Sequence, residues 1–188
     1  SNEDSSVNSY TIANNSNLNR FTGNDKLDNS KRISLSFNIN NNNFDAIFSQ
    51  DYEFTNNSNF HYSQGNEKKL GDFLAGVRYN TDYFGTNYNI RYDSNDSFLK
   101  SQSLDVNYEN NIGNVNLSYL DQKSKTDEII KTDNETLNYK IDTKKFNKYS
   151  KISYFGLYDF TQNINKETGL SYSYFDECFG VNIDFERK

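Results

Sequence analysis

Gly169-Leu170-Ser171-Tyr172-Ser173-Tyr174-Phe175-Asp176-Glu177-Cys178-Phe179-Gly180-Val181-Asn182-Ile183-Asp184-Phe185 consists of two alternations separated by an acidic turn. Leu170, Tyr172 and Tyr174 alternate with Ser171 and Ser173; Phe179, Val181, Ile183 and Phe185 alternate with Gly180, Asn182 and Asp184. Successive side chains of an extended chain point to opposite faces, so a period of two gives one apolar and one polar face. Tyr and Phe on one side, with Ser, Asn and Asp on the other, suit a strand standing between lipid and water. The only cysteine of the chain, Cys178, falls in the turn.

The same device recurs upstream. Residues 1–30 are Ser- and Asn-rich and weakly periodic, which reads as a polar loop or lead-in. The strand pattern fills 31–188. Ile33, Leu35, Phe37 and Ile39 alternate with Ser and Asn up to a turn at Asn40–Asn43, and Phe44, Ala46, Phe48, Tyr52 and Phe54 share a face on the return. Phe73 to Tyr79, Phe84 to Tyr92, Phe98 to Tyr108, Val115 to Tyr119, Leu137 to Ile141 and Ile152 to Phe160 continue the pattern. Short connections are expected at Asn40–Asn43, Asn80–Asp82, Asn110–Asn114 and Lys144–Lys148, and longer polar ones at 55–69, 93–97, 121–135 and 163–167. That alternation places the short side, with the Asp176–Cys178 turn, in the periplasm and the long side outside. The expected fold is all-β, with about ten antiparallel transmembrane β-barrel strands. Ten strands could close alone or form the C-terminal portion of a larger outer-membrane barrel, because open sheet edges are untenable in lipid.

Composition agrees. Hydrophobic residues make up only 34% of the 188 residues and mean hydropathy is -0.97, yet the chain holds 15 Tyr and 15 Phe. Disorder does not carry so many aromatics. A wall that presents every second residue to lipid does. No run approaches the ~20 apolar residues of a spanning helix. The net charge of -6 argues against nucleic acid as a partner, since phosphate binding needs clustered Lys and Arg. The chain has no Met and opens on Ser1 without a leader, which reads as a piece of a longer or processed protein.

Little here is suited to chemistry. His61 stands alone among Asn, Ser and Tyr, where a solvated loop residue outweighs a catalytic one. Asp176 and Glu177 are adjacent, so their side chains diverge. Gly65 and Gly71 form no phosphate-binding pattern, and acidic residues are too scattered for a metal site. No catalytic residue, cofactor or metal is expected. Positions on the polar face are mostly Ser, Asn, Thr and Asp, with Arg78, Arg91 and Lys100 among them. Such a wall could line a water channel or receive a plug.

Asn19-Arg20-Phe21-Thr22-Gly23-Asn24-Asp25, followed by a strand starting near Lys31, resembles a segment of the LptD family, the lipopolysaccharide-assembly proteins of the outer membrane. Phe48-Ser49-Gln50-Asp51-Tyr52 is similar to the strand that follows it there, and Tyr174-Phe175-Asp176-Glu177-Cys178 to the family's last periplasmic turn. The resemblance runs from about residue 10 to the end. It implies the C-terminal part of a large barrel that inserts lipopolysaccharide into the outer leaflet without enzymatic activity. It also implies an LptE-like lipoprotein plug, a periplasmic lipopolysaccharide-transport bridge reached through an N-terminal domain, and contact with outer-membrane lipid. Asn19, Arg20, Phe21, Gly23 and Asp25 would form the family loop. Phe179, Val181, Ile183 and Phe185 would lie on the last strand, one lip of a lateral seam, with Val181 near mid-membrane. Cys178 would be bonded to a cysteine outside this chain, which suits an oxidising periplasm. The alternative is a self-contained porin-like or adhesive outer-membrane barrel.

Overall fold

The structure, a computed structural model, describes residues 31–54, 70–126, 128–143 and 149–187. Ten strands follow one another: β1 (Arg32–Asn40), β2 (Phe44–Glu53), β3 (Phe73–Asn80), β4 (Phe84–Asp93), β5 (Phe98–Glu109), β6 (Gly113–Thr126), β7 (Ile129–Thr143), β8 (Ser150–Asp159), β9 (Ile164–Phe175) and β10 (Gly180–Arg187). They form one antiparallel sheet in chain order, as short links between period-two segments require. The described residues contain no helix. They group into two compact units, one from Ser1–Val77 with Asn89–Ser101, the other from Arg78–Tyr88 with Gln102–Lys188.

In the first unit β1 and β2 pair Ile33 with Tyr52, Phe37 with Phe48 and Ile39 with Ala46. Leu35 is 70% exposed and Phe37 63%, whereas Ser49, Asp51 and Glu53 on the other face of β2 are buried. In water that arrangement would be backwards, since burying apolar area is favourable and burying a carboxylate is costly. It is the arrangement for a wall whose outer solvent is lipid. Ala46, Leu74, Ala75 and Phe98 are the unit's buried apolar residues.

The second unit shows the same inversion as rows across strands. Val115 pairs with Ile141, Ile141 with Tyr154, Tyr154 with Leu170 and Leu170 with Phe185. One residue along, the row is Asn114, Asp142, Ser153, Ser171 and Asp184. Cross-strand register thus stacks like with like over five strands, which a one-residue slip in any hairpin would destroy. Two aromatics on the polar face fill space left by glycine. The Phe155 ring lies across Gly169, its partner in the β8–β9 register, and Phe175 lies across Gly180 in β9–β10.

Two expected loops are strands. Residues 121–135 continue β6 and β7, which run 14 and 15 residues with only 127–128 between them. Polar sequence misled there because ladder hydrogen bonds are made by the backbone. Asp121 pairs with Glu135, Ser124 with Lys131 and Lys125 with Ile130, around a register shift between Gln122 and Lys123. Ile164 to Glu167 likewise belong to β9, and the β8–β9 turn is 160–163. Connections 94–97, 127–128 and 160–163 are therefore as tight as those at the other end, and loop length does not assign sidedness among the described residues. The 55–69 connection and the Lys144–Lys148 turn lie outside the described residues.

Candidate membrane interface and terminal hairpin

Four turns share a mechanism. The amide of the first residue donates to the carbonyl three residues on: Asn41 to Phe44, Thr81 to Phe84, Asn110 to Gly113 and Asp176 to Phe179. In all four the first side chain also accepts a backbone amide, Asn41 Oδ1 that of Asn42 and Thr81 Oγ1 that of Phe84, and in the last two it accepts a pair. Asn110 Oδ1 takes Ile112 and Gly113 at 2.7 and 3.0 Å, and Asp176 Oδ1 takes Cys178 and Phe179 at 2.9 and 2.7 Å. The Cys178 turn is thus one more copy of the local device.

Cys178 is exposed and has no disulfide partner within the described residues. The Cys178 and Phe179 amides hold the Asp176 carboxyl below the usual carboxylate range, partial desolvation acting against them. Tyr174 Oη also donates to Asp176 Oδ2 at 3.1 Å, and the Tyr174 ring packs 6.0 Å from Tyr149. These contacts make the turn a fixed platform for the thiol.

The last strand, β10, pairs Val181 with Tyr174, Ile183 with Tyr172 and Phe185 with Leu170. Phe179, Ile183 and Phe185 are 60, 45 and 66% exposed. On the opposite face Ser173 Oγ donates to Asn182 Oδ1 at 2.6 Å, and Asn182 Nδ2 to Asp184 Oδ2 at 2.5 Å. Val181, Ile183 and Phe185 alternate with Asn182 and Asp184 along β10, and Phe179 precedes the strand in the turn. Val181 is the second residue of the eight-residue strand, beside the turn, and Ile183 stands in its middle.

Buried charge concentrates at strand ends. In the first unit Asp72, 1% exposed, takes Arg91 Nε at 2.6 Å and Lys100 Nζ at 3.2 Å, while Lys100 also reaches Asp93 at 2.9 Å. Two turns, one in each unit, repeat this economy. Asp93 Oδ1 accepts the Asn95 and Asp96 amides, Ser97 adopts φ 53°, and Lys100 closes on Asp93. Asp159 Oδ1 accepts the Gln162 amide, Asn163 adopts φ 55°, and Lys166 closes on Asp159 at 2.5 Å. Both follow Tyr-Asp, four turn residues, then Lys seven after the Asp. In the second unit Asp142 gathers Asn114, Lys151, Lys140 and Ser153. Arg91 and Lys100 were legible as polar-face residues; Asp72, Asp93, Asp142 and Asp159 were not singled out, although the repeated Tyr-Asp spacing marks two of them. Arg78 is exposed. Asn19, Arg20, Phe21, Gly23 and Asp25, with His61, lie outside the described residues.

An antiparallel sheet with aromatic and aliphatic rows outward and ion-paired carboxylates on the other face is the wall of an outer-membrane β-barrel. The sequence profile of LptD, LPS transport system D, matches residues 1–164, and the chain belongs to that family. Its role is in lipopolysaccharide transport and assembly at the outer membrane. The match ends at the first residue of β9, so the terminal hairpin lies beyond it. No curated protein matches the chain.

Proposed function

We propose that this chain is the C-terminal barrel segment of a non-enzymatic translocon that inserts lipopolysaccharide into the outer leaflet. The family match over residues 1–164 carries the reading. In it, β10 forms one lip of a lateral seam. Its exposed Ile183 and Phe185 support that role. Cargo enters from a periplasmic transport bridge through an upstream domain, and an LptE-like lipoprotein occupies the barrel. Cys178, exposed on its fixed turn, bonds to an upstream cysteine and ties that domain to the barrel.

The test uses the full protein in whole cells, with a photo-crosslinking amino acid at Phe185. Capture of lipopolysaccharide at Phe185 and not at an apolar position far from the seam, Leu117, is the expected result. Equal capture at both positions, or none at either, refutes the seam. A non-reducing peptide map decides Cys178 separately: a bond to an upstream cysteine supports the tie, and a free thiol removes it.

A further inference from the structure

On the apolar face of the second unit, the row Val115, Ile141, Tyr154, Leu170 and Phe185 is followed, two residues farther from the Cys178 turn, by Leu117, Tyr139, Gly156, Thr168 and Arg187. The second row is still aliphatic on β6, but on β9 and β10 it becomes a hydroxyl and a guanidinium. From Thr168 to Tyr174 on β9, and along β10, Arg187 is the only charged side chain that alternates onto this face, and no carboxylate does so. Lys166, on the far side of the register shift, is taken up by Asp159.

The middle of the row is closed by Tyr139. Gly156 leaves a gap, and the hydroxyl end of the Tyr139 ring lies over it where a Cβ would stand, with the Tyr154 ring 5.6 Å away. The Tyr139 hydroxyl therefore comes to rest beside Thr168, which is opposite Gly156 in the β8–β9 ladder, and Arg187 is opposite Thr168 in the β9–β10 ladder. Neighbouring strands stand about 4.8 Å apart, so two hydroxyls and a guanidinium follow one another at that spacing. An arginine side chain is longer than this step and reaches across it. Among the described residues no other side chain engages the Thr168 hydroxyl or the Arg187 guanidinium, and Arg187 is exposed.

Hydroxyl donors beside a guanidinium, with no carboxylate in competition, match a phosphate, which guanidinium binds through two parallel hydrogen bonds. The row beneath decides which phosphate. Leu170 and Phe185 are exposed immediately below Thr168 and Arg187 and suit acyl chains, so the anion that fits is one carried directly above acyl chains. β10 runs from the Cys178 turn to Arg187, and with that turn on the periplasmic side Arg187 stands at the outer-leaflet end.

We infer that Tyr139, Thr168 and Arg187 form a phosphate-binding subsite on the lipid face of the terminal strands, which takes the lipid phosphate of lipopolysaccharide as its acyl chains pass into the membrane beside Leu170 and Phe185. The inference rests on the lateral-seam reading and adds to it the residues that read the headgroup. The test places a photo-crosslinking amino acid at Phe185 of the full protein in nanodiscs. It compares capture of lipopolysaccharide carrying its lipid phosphates with capture of the same lipid after phosphatase treatment. Wild type, Arg187→Gln and Arg187→Lys are each checked for native mobility on unheated gels. A preference of about tenfold for the phosphorylated lipid is expected in the wild type, the worth of a charge-assisted hydrogen bond. Arg187→Gln should abolish it, and Arg187→Lys, which keeps the charge, should retain at least about a third of it. Equal capture of the two lipids by the wild type overturns the subsite and leaves the seam standing. So does an undiminished preference in Arg187→Gln, or its complete loss in both variants. If neither lipid is captured, the seam falls and takes the subsite with it.

Discussion

Replacing Asp72 by Asn tests whether buried charge at the strand ends holds the first unit together. The carboxylate is 1% exposed and serves two cations, Arg91 at 2.6 Å and Lys100 at 3.2 Å, with side chains 20 and 13% exposed. Removing one partner of a fully buried ion pair costs about 3–5 kcal/mol. Two features reduce that figure here. Lys100 keeps Asp93 at 2.9 Å, and the carboxamide introduced by the substitution retains hydrogen-bonding capacity. Partial solvent access to Arg91 softens it further. We expect Asp72→Asn to destabilise the protein by about 2–3 kcal/mol, and Asp72→Leu by more, because it offers no acceptor. The assay is equilibrium urea unfolding of the full protein in lipid vesicles, followed by circular dichroism. A double-mutant cycle with Arg91→Gln should give a coupling of about 1–3 kcal/mol. Additive behaviour of the two changes, or a single variant within about 0.5 kcal/mol of wild type, would refute the reasoning.

Strand placement, turn packing and the amide cap can each be checked in the same protein. Ile183→Lys, in the middle of β10, should cost about 2–4 kcal/mol, and Val181→Lys, beside the turn, about 0–1 kcal/mol; comparable costs at both would contradict the strand's placement. A Cβ on Gly113 would lie 2.2 Å from the Asp142 carbonyl oxygen, so Gly113→Ala should open the start of the β6–β7 ladder at a cost of about 1–3 kcal/mol, read in the same unfolding assay. A wild-type midpoint would show that the backbone yields there. Asp176 is held below the ordinary value of 3.8 by the two turn amides. Its contribution to the turn is therefore complete above that value and is lost only as pH falls through the lowered one. A carboxyl carbon-13 titration in the full protein should place the Asp176 midpoint below 3.8, and a midpoint at or above it would remove the amide cap from the account.

Much of this molecule was legible in one dimension. The period of two in Ile33 to Ile39, Phe84 to Tyr92 and Leu170 to Tyr174 dictated extended chain with an apolar and a polar face, because side-chain direction alternates in any strand. Short runs of Asn and Asp between such segments marked most hairpins, because those side chains can accept the turn amides themselves. The family emerged from short motifs, and the match over 1–164 bears it out. Misreadings arose where polarity was equated with loop. Asp121 to Thr126 and Ile129 to Glu135 are charged and yet paired, because ladder bonds join backbones and are indifferent to side-chain type once a strand has left the apolar layer.

Strand content, hairpin order and the division into lipid-like and polar faces were thus determined by sequence alone, since each depends on residues within a few positions of one another. Tertiary structure decided the rest. Asp72 meets Arg91 and Lys100 across 19 and 28 residues of chain. The row from Asn114 through Asp142 and Ser153 to Asp184 exists only once five strands are in register. Partners so distant in sequence leave no local pattern, because which polar groups share a face is settled by register, and register is a property of pairs of strands.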